Sequence, residues 1–285
     1  MTRQPAIARR AEELLGTPVI ATASVAGGDI CTANRLRLND GRSVFIKTLP
    51  HAPSGFFAAE ARGLRWLAVE GGVAVPEVLA VDDDCLVLPW IEPGRTSHDT
   101  ASDLGRRLAA THAADGLTSY GMERDGFIGR LPLPNGPATT WAEFFAVRRV
   151  LPYLKLAADR GAVEAADVAT VERLVGKLSG LLPEEGPSRL HGDLWSGNVL
   201  WGVDGRAWAI DPAAYAGHRE ADLAMLALFG VPDLERVLAA YRDVAPLTDG
   251  WEERIAIHQL FPLLVHACLF GGSYGHRAAE LAGRF

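Results

Sequence analysis

The spacing of apolar residues changes near residue 90, and this change constrains the fold more than any other feature of the chain. Up to that point, short apolar runs alternate with turn residues, as in residues 42–48, which predicts strands. Beyond it, apolar residues recur at helical spacing in segments such as residues 102–114 and 141–158, which predicts amphipathic helices. Pro89 and Pro93 interrupt both patterns at the transition. We therefore predict an α+β fold with a small β-rich N-terminal lobe and a larger, mainly helical C-terminal lobe.

Turn and cap signals place the predicted elements and the lobe boundaries. Asn39-Asp40-Gly41 separates two strands, residues 35–38 and 42–48, and indicates a hairpin because Asn and Gly tolerate positive φ. A helix is predicted from Ser54, a candidate N-cap, to Glu70, ahead of two glycines. Further strands are predicted at residues 78–81, 85–88, 199–201 and 208–210, and further helices at residues 165–182, 221–228, 234–241 and 251–269. We predict an N-terminal lobe over residues 1–88, a hinge over residues 89–94 and a C-terminal lobe over residues 95–285.

Composition excludes several classes of protein. With 28 Lys and Arg against 35 Asp and Glu, the net charge of −7 argues against nucleic acid as a partner, because phosphate binding leaves a basic footprint. The 3 cysteines are scattered, which predicts neither a disulfide framework nor a zinc site and favours a cytoplasmic location. No apolar run approaches the roughly 20 residues that a membrane span needs. We therefore expect neither a nucleic-acid nor a membrane partner, and the oligomeric state stays open.

The polar residues around position 200 have a spacing suited to phosphoryl transfer. His191-Gly192-Asp193 is followed by Asn198 and, after a predicted strand, by Asp211. This chemistry needs one carboxylate to accept a hydroxyl proton, and a carboxylate and an amide oxygen to hold Mg²⁺. The pattern predicts Asp193 as the base and Asn198 and Asp211 as metal ligands. The alternative is a loop of turn-forming residues, in which Asp and Asn are common, but the flanking His-Gly pair favours the functional interpretation.

The N-terminal lobe supplies residues that could hold a nucleotide. Lys47 ends a predicted strand and Glu60 lies on the following helix, which is the order of the Lys–Glu pair that grips the phosphates of ATP in kinases. Each alone would be an ordinary solvated side chain. Gly27 and Gly28 lie where a turn could pass backbone N–H groups over the phosphates, although neither known glycine-rich phosphate motif is present.

The stretch His191-Gly192-Asp193-Leu194-Trp195-Ser196-Gly197-Asn198-Val199 resembles the signature of the fructosamine kinase, or ketosamine 3-kinase, family. Aminoglycoside phosphotransferases share only its H-G-D-x-x-x-x-N core. The resemblance covers roughly residues 15–285. Besides the signature, the segments that match the family are residues 126–129, 134–135, 141–149, 211–213, 217–220, 258–260 and 270–272.

This resemblance implies a bilobal, protein kinase-like fold and a reaction. The family uses ATP with Mg²⁺ to phosphorylate O3 of a ketosamine, the product of an amine and a sugar, and the phosphorylated adduct then falls off the amine. The resemblance assigns Asp193 as the base, Asn198 and Asp211 as Mg²⁺ ligands, and Lys47 with Glu60 to the phosphates. It also implies that the backbone of Pro89, Trp90 and Ile91 meets the adenine.

Other residues and other functions stay open at this stage. Trp195 could wall the acceptor site, and His218 could contact substrate or simply precede a helix N-terminus. Arg148 and Arg149 could face the cleft or the surface, and His266 is expected in the protein interior. The alternatives are an O-phosphotransferase for another small molecule or an aminoglycoside, and a catalytically silent nucleotide-binding regulator. The complete set of catalytic residue types argues against the silent regulator.

Overall fold

A computed structural model describes residues 6–26 and 30–285, and the N-terminal part is an antiparallel sheet with two helices. Its sheet order is β1-β2-β3-β5-β4, and each neighbouring pair is antiparallel. The elements are α1 (Ala6–Leu15), β1 (Val19–Val25), β2 (Thr32–Leu38), β3 (Ser43–Thr48), α2 (Phe56–Leu67), β4 (Ala80–Val81) and β5 (Cys85–Pro89). The predicted hairpin and the two predicted strands that follow it are therefore confirmed.

Alternating side chains bury the two faces of this sheet against different partners. Leu36, Ile46 and Val87 pack with Ala11 of α1 on one face. Leu86 and Leu88, the neighbours of Val87 along β5, pack instead with the apolar side of α2. Because both faces are covered by helices, the sheet fixes where β3 and α2 stand relative to each other.

The bounds predicted for α2 were wrong at both ends. The residue before its first turn is Gly55 with φ of 78°, and no side chain caps the helix, so Ser54 is not the N-cap. The helix ends at Leu67 instead of Glu70. Beyond it the chain turns so that the Val73 amide donates to the hydroxyl of Thr111, at 2.8 Å. This tertiary hydrogen bond has no local sequence signal.

The rest of the chain is mainly helical, with three short antiparallel strand pairs, β6–β7, β8–β11 and β9–β10. Its elements are α3 (His98–Ala113), β6 (Gly126–Ile128), β7 (Leu131–Leu133), α4 (Trp141–Phe144), a π-helical turn (Phe145–Val150), α5 (Leu151–Asp159), α6 (Ala165–Val175), α7 (Leu178–Leu181), β8 (Ser188–Leu190), a 3₁₀ turn (Ser196–Asn198), β9 (Val199–Trp201), β10 (Ala207–Ala209), β11 (Tyr215–Gly217), α8 (Glu220–Phe229), α9 (Leu234–Val244), α10 (Trp251–His258), α11 (Leu260–Phe270) and α12 (Tyr274–Ala282). None of the helices described here is both long and apolar enough to cross a bilayer.

Two predicted helices are each divided in the structure. Residues 165–182 form α6 and α7, which are separated at Gly176 and Lys177. Residues 251–269 form α10 and α11, which are separated at Gln259. Pro262 has no N–H to donate to the carbonyl of His258, so an unbroken α-helix would lose a hydrogen bond there. Periodicity alone does not show such breaks because the apolar spacing continues across them.

The segment between β5 and α3 is bonded to both parts of the protein. On one side, the amide of Trp90 donates to the carbonyl of Ser43 in β3, at 3.1 Å. On the other, the amide of Gly94 donates to Trp201 of β9 at 2.6 Å, and the amide of Val203 donates to Glu92 at 3.0 Å. The connection therefore lies along one edge of the cleft between the sheet and the helical part.

Candidate active site

A cavity of about 740 Å³ lies between the sheet and the helical part. The sequence-predicted residues that line it are Lys47, Glu60, Pro89, Trp90, Ile91, Asp193, Trp195, Asn198 and Asp211. These residues come from widely separated parts of the chain, and the fold brings them to one cleft. His218 is not among the lining residues, and Gly27 and Gly28 lie outside the described residues.

Lys47 forms ion pairs with carboxylates from both sides of the cleft. Its Nζ lies 2.5 Å from Oε1 of Glu60 on α2 and 2.8 Å from Oδ1 of Asp211. Burial opposes the charge on Lys47, but the two carboxylates outweigh it and raise its pKa. Burial raises the pKa of Glu60 to about 7, although Lys47 acts in the opposite direction. The ammonium is thus held at the cleft wall with one carboxylate behind it and another facing it.

Asp193 lies at the start of a tight loop that Asn198 closes. Nδ2 of Asn198 donates to the backbone carbonyl of Asp193 at 2.8 Å and to its Oδ2 at 3.0 Å. Burial raises the pKa of Asp193 to about 7, with the hydrogen bond from Asn198 opposing that shift. A carboxyl group with a pKa near neutrality is matched to taking a proton from a hydroxyl group.

The backbone ahead of Asp193 is anchored by a buried carboxylate that sequence reasoning did not select. Asp222, in the first turn of α8, accepts hydrogen bonds from the amides of His191 at 2.7 Å and Gly192 at 2.9 Å. Nε2 of His191 lies 2.9 Å from the carbonyl of Ile210, next to Asp211. These bonds connect the segment that carries Asp193 to the segment that carries Asp211.

Gly192 is required at its position by both conformation and space. Its φ is 80°, and a Cβ there would lie 2.1 Å from the carbonyl oxygen of Ala213. Only glycine allows the two segments to approach this closely. The Gly in the His-Gly-Asp motif therefore sets the spacing between the segments of Asp193 and Asp211.

Asn198 and Asp211 fit a magnesium site by the chemistry of their donors. Because Nδ2 of Asn198 makes both of its hydrogen bonds, its Oδ1 stays available to a cation. Asp211 adopts a φ of 55°, and its side chain is 47% exposed, with Oδ1 on Lys47. Carboxylate and amide oxygens are the ligands that Mg²⁺ prefers. The residues present are therefore a suitable donor set for this ion.

The edge of the cavity near β5 is suited to a flat apolar ring. Leu88, Leu200 and Ile210 line it, and the segment of Pro89 to Ile91 forms its rim. Within residues 6–26 and 30–285, the amide of Ile91 has no hydrogen-bond partner. An unpaired donor beside apolar side chains is an arrangement that can bind a purine.

Aromatic side chains form a wall on the other side of Asp193. Trp195 is 36% exposed and its ring meets Phe229 edge-on, with centroids 5.9 Å apart. The ring centroids of Phe229 and His266 lie 4.7 Å apart, and those of His266 and Phe270 lie 5.6 Å apart. His266 is half-buried, with Nδ1 at 2.7 Å from the carbonyl of Pro262, as the interior prediction requires, but it also lines the cavity. The i,i+4 spacing of His266 and Phe270 on α11 was the available sequence signal.

Comparison with known proteins agrees with this geometry. The family model for fructosamine kinase matches residues 3–284. The chain belongs to the fructosamine kinase family. A probable ketoamine kinase of Thermus thermophilus is 40% identical over 254 residues, which cover 87% of each chain. A probable ketoamine kinase of Escherichia coli is 36% identical over 274 residues, which cover 94% of each.

Solved structures extend the likeness to the fold. A crystal structure from Thermobifida fusca, assigned as a fructosamine-3-kinase, has a TM-score of 0.92 and 49% identity over 97% of both chains. An aminoglycoside phosphotransferase has a TM-score of 0.65 at 17% identity, covering 98% of this chain and 97% of its own. The predicted bilobal, kinase-like α+β fold is confirmed, and as a member of this family the protein is a kinase-type phosphotransferase.

The structure places His218 away from the cleft of this fructosamine kinase family member. Its side chain is fully buried and stacks on His258 with ring centroids 5.3 Å apart, so it cannot reach a substrate. Burial, with help from His258, lowers the pKa of His218 to about 3. The interpretation as a residue preceding a helix N-terminus is the correct one, because α8 begins at Glu220.

The cluster of His218, Glu220 and His258 has the composition of a metal site but is an ion-pair network. The Arg254 guanidinium donates to both oxygens of Glu220, at 2.6 and 3.0 Å. Nδ1 of His218 accepts the amide hydrogen of Glu220 at 3.2 Å. Both oxygens of Glu220 and Nδ1 of His218 thus already have hydrogen-bond partners within the protein, whereas Nδ1 of His258 has none among the described residues.

Proposed function

We propose that this protein transfers the γ-phosphoryl group of ATP, with Mg²⁺, to O3 of a ketosamine. One observation carries the proposal: a single cavity joins the Lys47–Glu60 pair, the Asp193–Asn198 loop and Asp211 to the aromatic wall around Trp195. The relatives named as ketoamine kinases support the choice of acceptor. The phosphorylated sugar would then separate from the amine.

In the proposed reaction, each residue of the cavity has a defined task. Asp193 takes the proton from the O3 hydroxyl while O3 bonds to the γ-phosphorus and the bridging oxygen leaves with ADP. Lys47, aligned by Glu60, pairs with phosphate oxygens in place of Asp211. Asn198 and Asp211 would hold Mg²⁺, which would neutralise charge on the phosphates when bound. The remaining rate acceleration comes from holding the O3 hydroxyl in line with the γ-phosphorus.

The remaining nucleotide contacts belong to the same proposal. The backbone at Pro89, Trp90 and Ile91 would receive the adenine, with the unpaired amide of Ile91 as donor. That Gly27 and Gly28 cover the phosphates of ATP remains a prediction from the sequence. The division into lobes 1–88 and 95–285 with a hinge at residues 89–94 also stays a prediction.

The lining of the cavity favours a ketosamine over an aminoglycoside. A polycationic antibiotic needs several carboxylates beyond those of the phosphoryl-transfer machinery. Among the described lining residues, the carboxylates are Glu60, Asp193 and Asp211, and all three have tasks in that machinery. The exposed faces of Trp195 and Phe270 instead offer apolar surface to the CH groups of a sugar.

The decisive experiment is an assay of ATP consumption with Mg²⁺ on ribulosamines, fructosamines and aminoglycosides. We expect turnover on ketosamines alone, and phosphorus NMR of the product should place the phosphate at O3. Turnover confined to aminoglycosides would overturn the acceptor while preserving the phosphoryl-transfer site. Binding of Mg-ATP without any turnover would favour the silent regulator.

A further inference from the structure

Arg149 is a buried cation whose position is unusual for a charged side chain. It was expected either in the cleft or at the surface, but it is fully buried, whereas the neighbouring Arg148 is partly exposed. Within residues 6–26 and 30–285, its guanidinium forms no ion pair with a carboxylate, and it donates instead to backbone and amide oxygens. Burial lowers the pKa of Arg149. Because desolvating an unpaired charge is costly, such a residue calls for an explanation.

The helix around Arg149 is distorted in a way that aims the side chain inward. Residues Phe145–Val150 form a π-helical turn, and such turns are frequent at functional sites. Pro152 has no N–H, so the carbonyl of Arg148 loses its α-helical partner. Nη1 of Arg149 donates to that carbonyl at 3.0 Å. The guanidinium therefore supplies the hydrogen bond that the carbonyl of Arg148 lacks from Pro152, and its other N–H groups bond outside the helix.

Those other donors hold the loop that forms one wall of the cavity. Nη1 donates to the carbonyl of Pro134 and Nη2 to Oδ1 of Asn135, each at 2.6 Å. Asn135 is 1% exposed, lines the cavity and bonds to Asp125 and to the carbonyl of Arg124. We call residues 121–136 the front segment. Its hairpin β6–β7 also contacts α11, since a Cβ at Gly129 would lie 3.0 Å from Leu269.

The flat faces of the same guanidinium contact aromatic rings that pack beneath the loop of residues 193–198, which we call the catalytic loop. Its central carbon lies 3.8 Å from the ring centroid of Tyr215 and 4.6 Å from that of Phe144. Tyr215, on β11, pairs with Leu190 of β8, the strand that leads into His191 and Asp193. A Cβ on Gly192 would lie 2.9 Å from the Tyr215 ring. The edge of the Arg149 guanidinium thus donates hydrogen bonds to the front segment, and its face stacks on Tyr215 beneath the catalytic loop.

We propose that Arg149 is a positioning residue that sets the distance between the front segment, which contacts α11 beside the aromatic wall, and the loop carrying Asp193. This role rests on the proposed function. Arg149 contacts neither the Lys47–Glu60 pair nor the rim at Pro89, although Phe127 of the front segment meets Phe56 of α2 with ring centroids 5.2 Å apart. We therefore expect the loss of Arg149 to affect the acceptor more than ATP. The planar guanidinium donates hydrogen bonds along its edge and stacks on its face, and the ammonium group of a lysine cannot make both kinds of contact.

The test compares Arg149→Met and Arg149→Lys with Arg254→Met, which removes another buried guanidinium away from the front segment. For Arg149→Met we expect the KM for a fructosamine to rise about tenfold or more, with the KM for ATP within about twofold. Arg149→Lys should show a smaller rise in the same KM. Asn135→Ala should raise it too, and the double variant should add little because both act through one contact. Equal rises in both KM values, or an unchanged fructosamine KM, would overturn the proposal.

A second measurement does not depend on turnover. The amide of Met122 donates to the carbonyl of Asn135 at 2.9 Å, and the amide of Asn135 donates to Asp125 at 2.7 Å. Hydrogen exchange at these two amides should accelerate in Arg149→Met and Arg149→Lys but not in Arg254→Met, with exchange in β2 and β3 unchanged. Unaltered exchange would overturn the positioning role. Absence of fructosamine turnover in the wild-type protein would instead refute the proposed function.

Discussion

At the residue scale, the carboxylate of Asp193 is the group that the proposed reaction uses directly. It is held by one amide group, on Asn198, and lies in a loop whose backbone is bonded to Asp222. The loop geometry therefore depends on backbone amides and buried partners more than on the Asp193 carboxylate itself. Removing the charge should abolish proton transfer without disturbing the fold.

Asp193→Asn should reduce turnover by about 10²–10⁴-fold, the usual contribution of a general base. We expect the melting temperature to stay close to that of the wild type because Asn198 can still donate to an amide oxygen. Steady-state kinetics and thermal unfolding measure the two effects. The matched control is Asp204→Asn, an exposed aspartate that should leave both unchanged. A wild-type rate in Asp193→Asn would refute the assignment of the base.

Lys47→Met should raise the KM for ATP about tenfold or more, because the phosphates lose a buried ammonium that Glu60 orients. Lys155→Met provides the control, since Lys155 is exposed and pairs with Asp159 on the surface. Calorimetric titration with Mg-ATP measures the loss separately from turnover. Equal ATP affinity in the two variants would remove Lys47 from the nucleotide site.

At the scale of elements, the close packing of α3 on α9 holds together the part of the core beneath the catalytic loop. Leu194 of that loop is buried in the same cluster as Leu104 and Val237, which belong to these two helices. Gly105 allows the approach, because a Cβ at this position would lie 2.1 Å from the backbone carbonyl of Val237. The oxygen belongs to a helix, so it cannot move aside as a flexible side chain would.

Gly105→Ala should lower the free energy of unfolding. Helix propensity alone would stabilise the variant by about 1 kcal/mol, so the steric cost of roughly 1–3 kcal/mol must exceed that gain. Gly180→Ala is the matched control, since α7 leaves open space around Gly180. Denaturant unfolding should show Gly105→Ala less stable and Gly180→Ala equal to or more stable than the wild type. The reverse order would contradict the packing argument.

At the scale of the whole molecule, the buried network around Glu220 makes stability depend on pH. Burial disfavours the charge on Glu220, but hydrogen bonds from His258 and Arg254 outweigh it and lower its pKa to about 2. The pKa of His218 is lowered to about 3. Both groups therefore bind protons more readily in the unfolded chain, so acid favours unfolding.

The free energy of unfolding should fall as the pH drops from about 4.5 to about 2, where Glu220 contributes about 3 kcal/mol, the free energy of a shift from 4.5 to about 2. Between pH 7 and 4.5 the raised pKa values of Asp193 and Glu60 oppose the effect of His218, because these two carboxyl groups bind protons more readily in the folded protein. Denaturant unfolding across this range measures the slope. Glu220→Gln should be less stable at pH 7 and show a smaller slope below pH 4.5, whereas the exposed Glu235→Gln should follow the wild type. Identical slopes in all three proteins would contradict the prediction.

Local sequence signals determined the main elements and the residue types of the candidate site. The Asn39-Asp40-Gly41 turn lies between β2 and β3, and the apolar alternation of β3 and β5 appears in the sheet as predicted. The spacing of Asp193 and Asn198 was sufficient to predict that they act together, because they belong to one tight loop. Such features depend on neighbours within a few positions and are therefore readable from the chain alone.

The tertiary structure decided the positions that depend on distant parts of the chain. Arg149 is buried because Pro134, Asn135 and Tyr215 surround it, and none of these is its neighbour in sequence. His218 is buried although two charged residues follow it in sequence, and His266 lines the cleft although apolar residues flank it. Burial is a property of what packs against a side chain, and packing is set by the whole fold. The sequence by itself thus determined which chemistry the chain can perform, and the tertiary structure decided which residues take part.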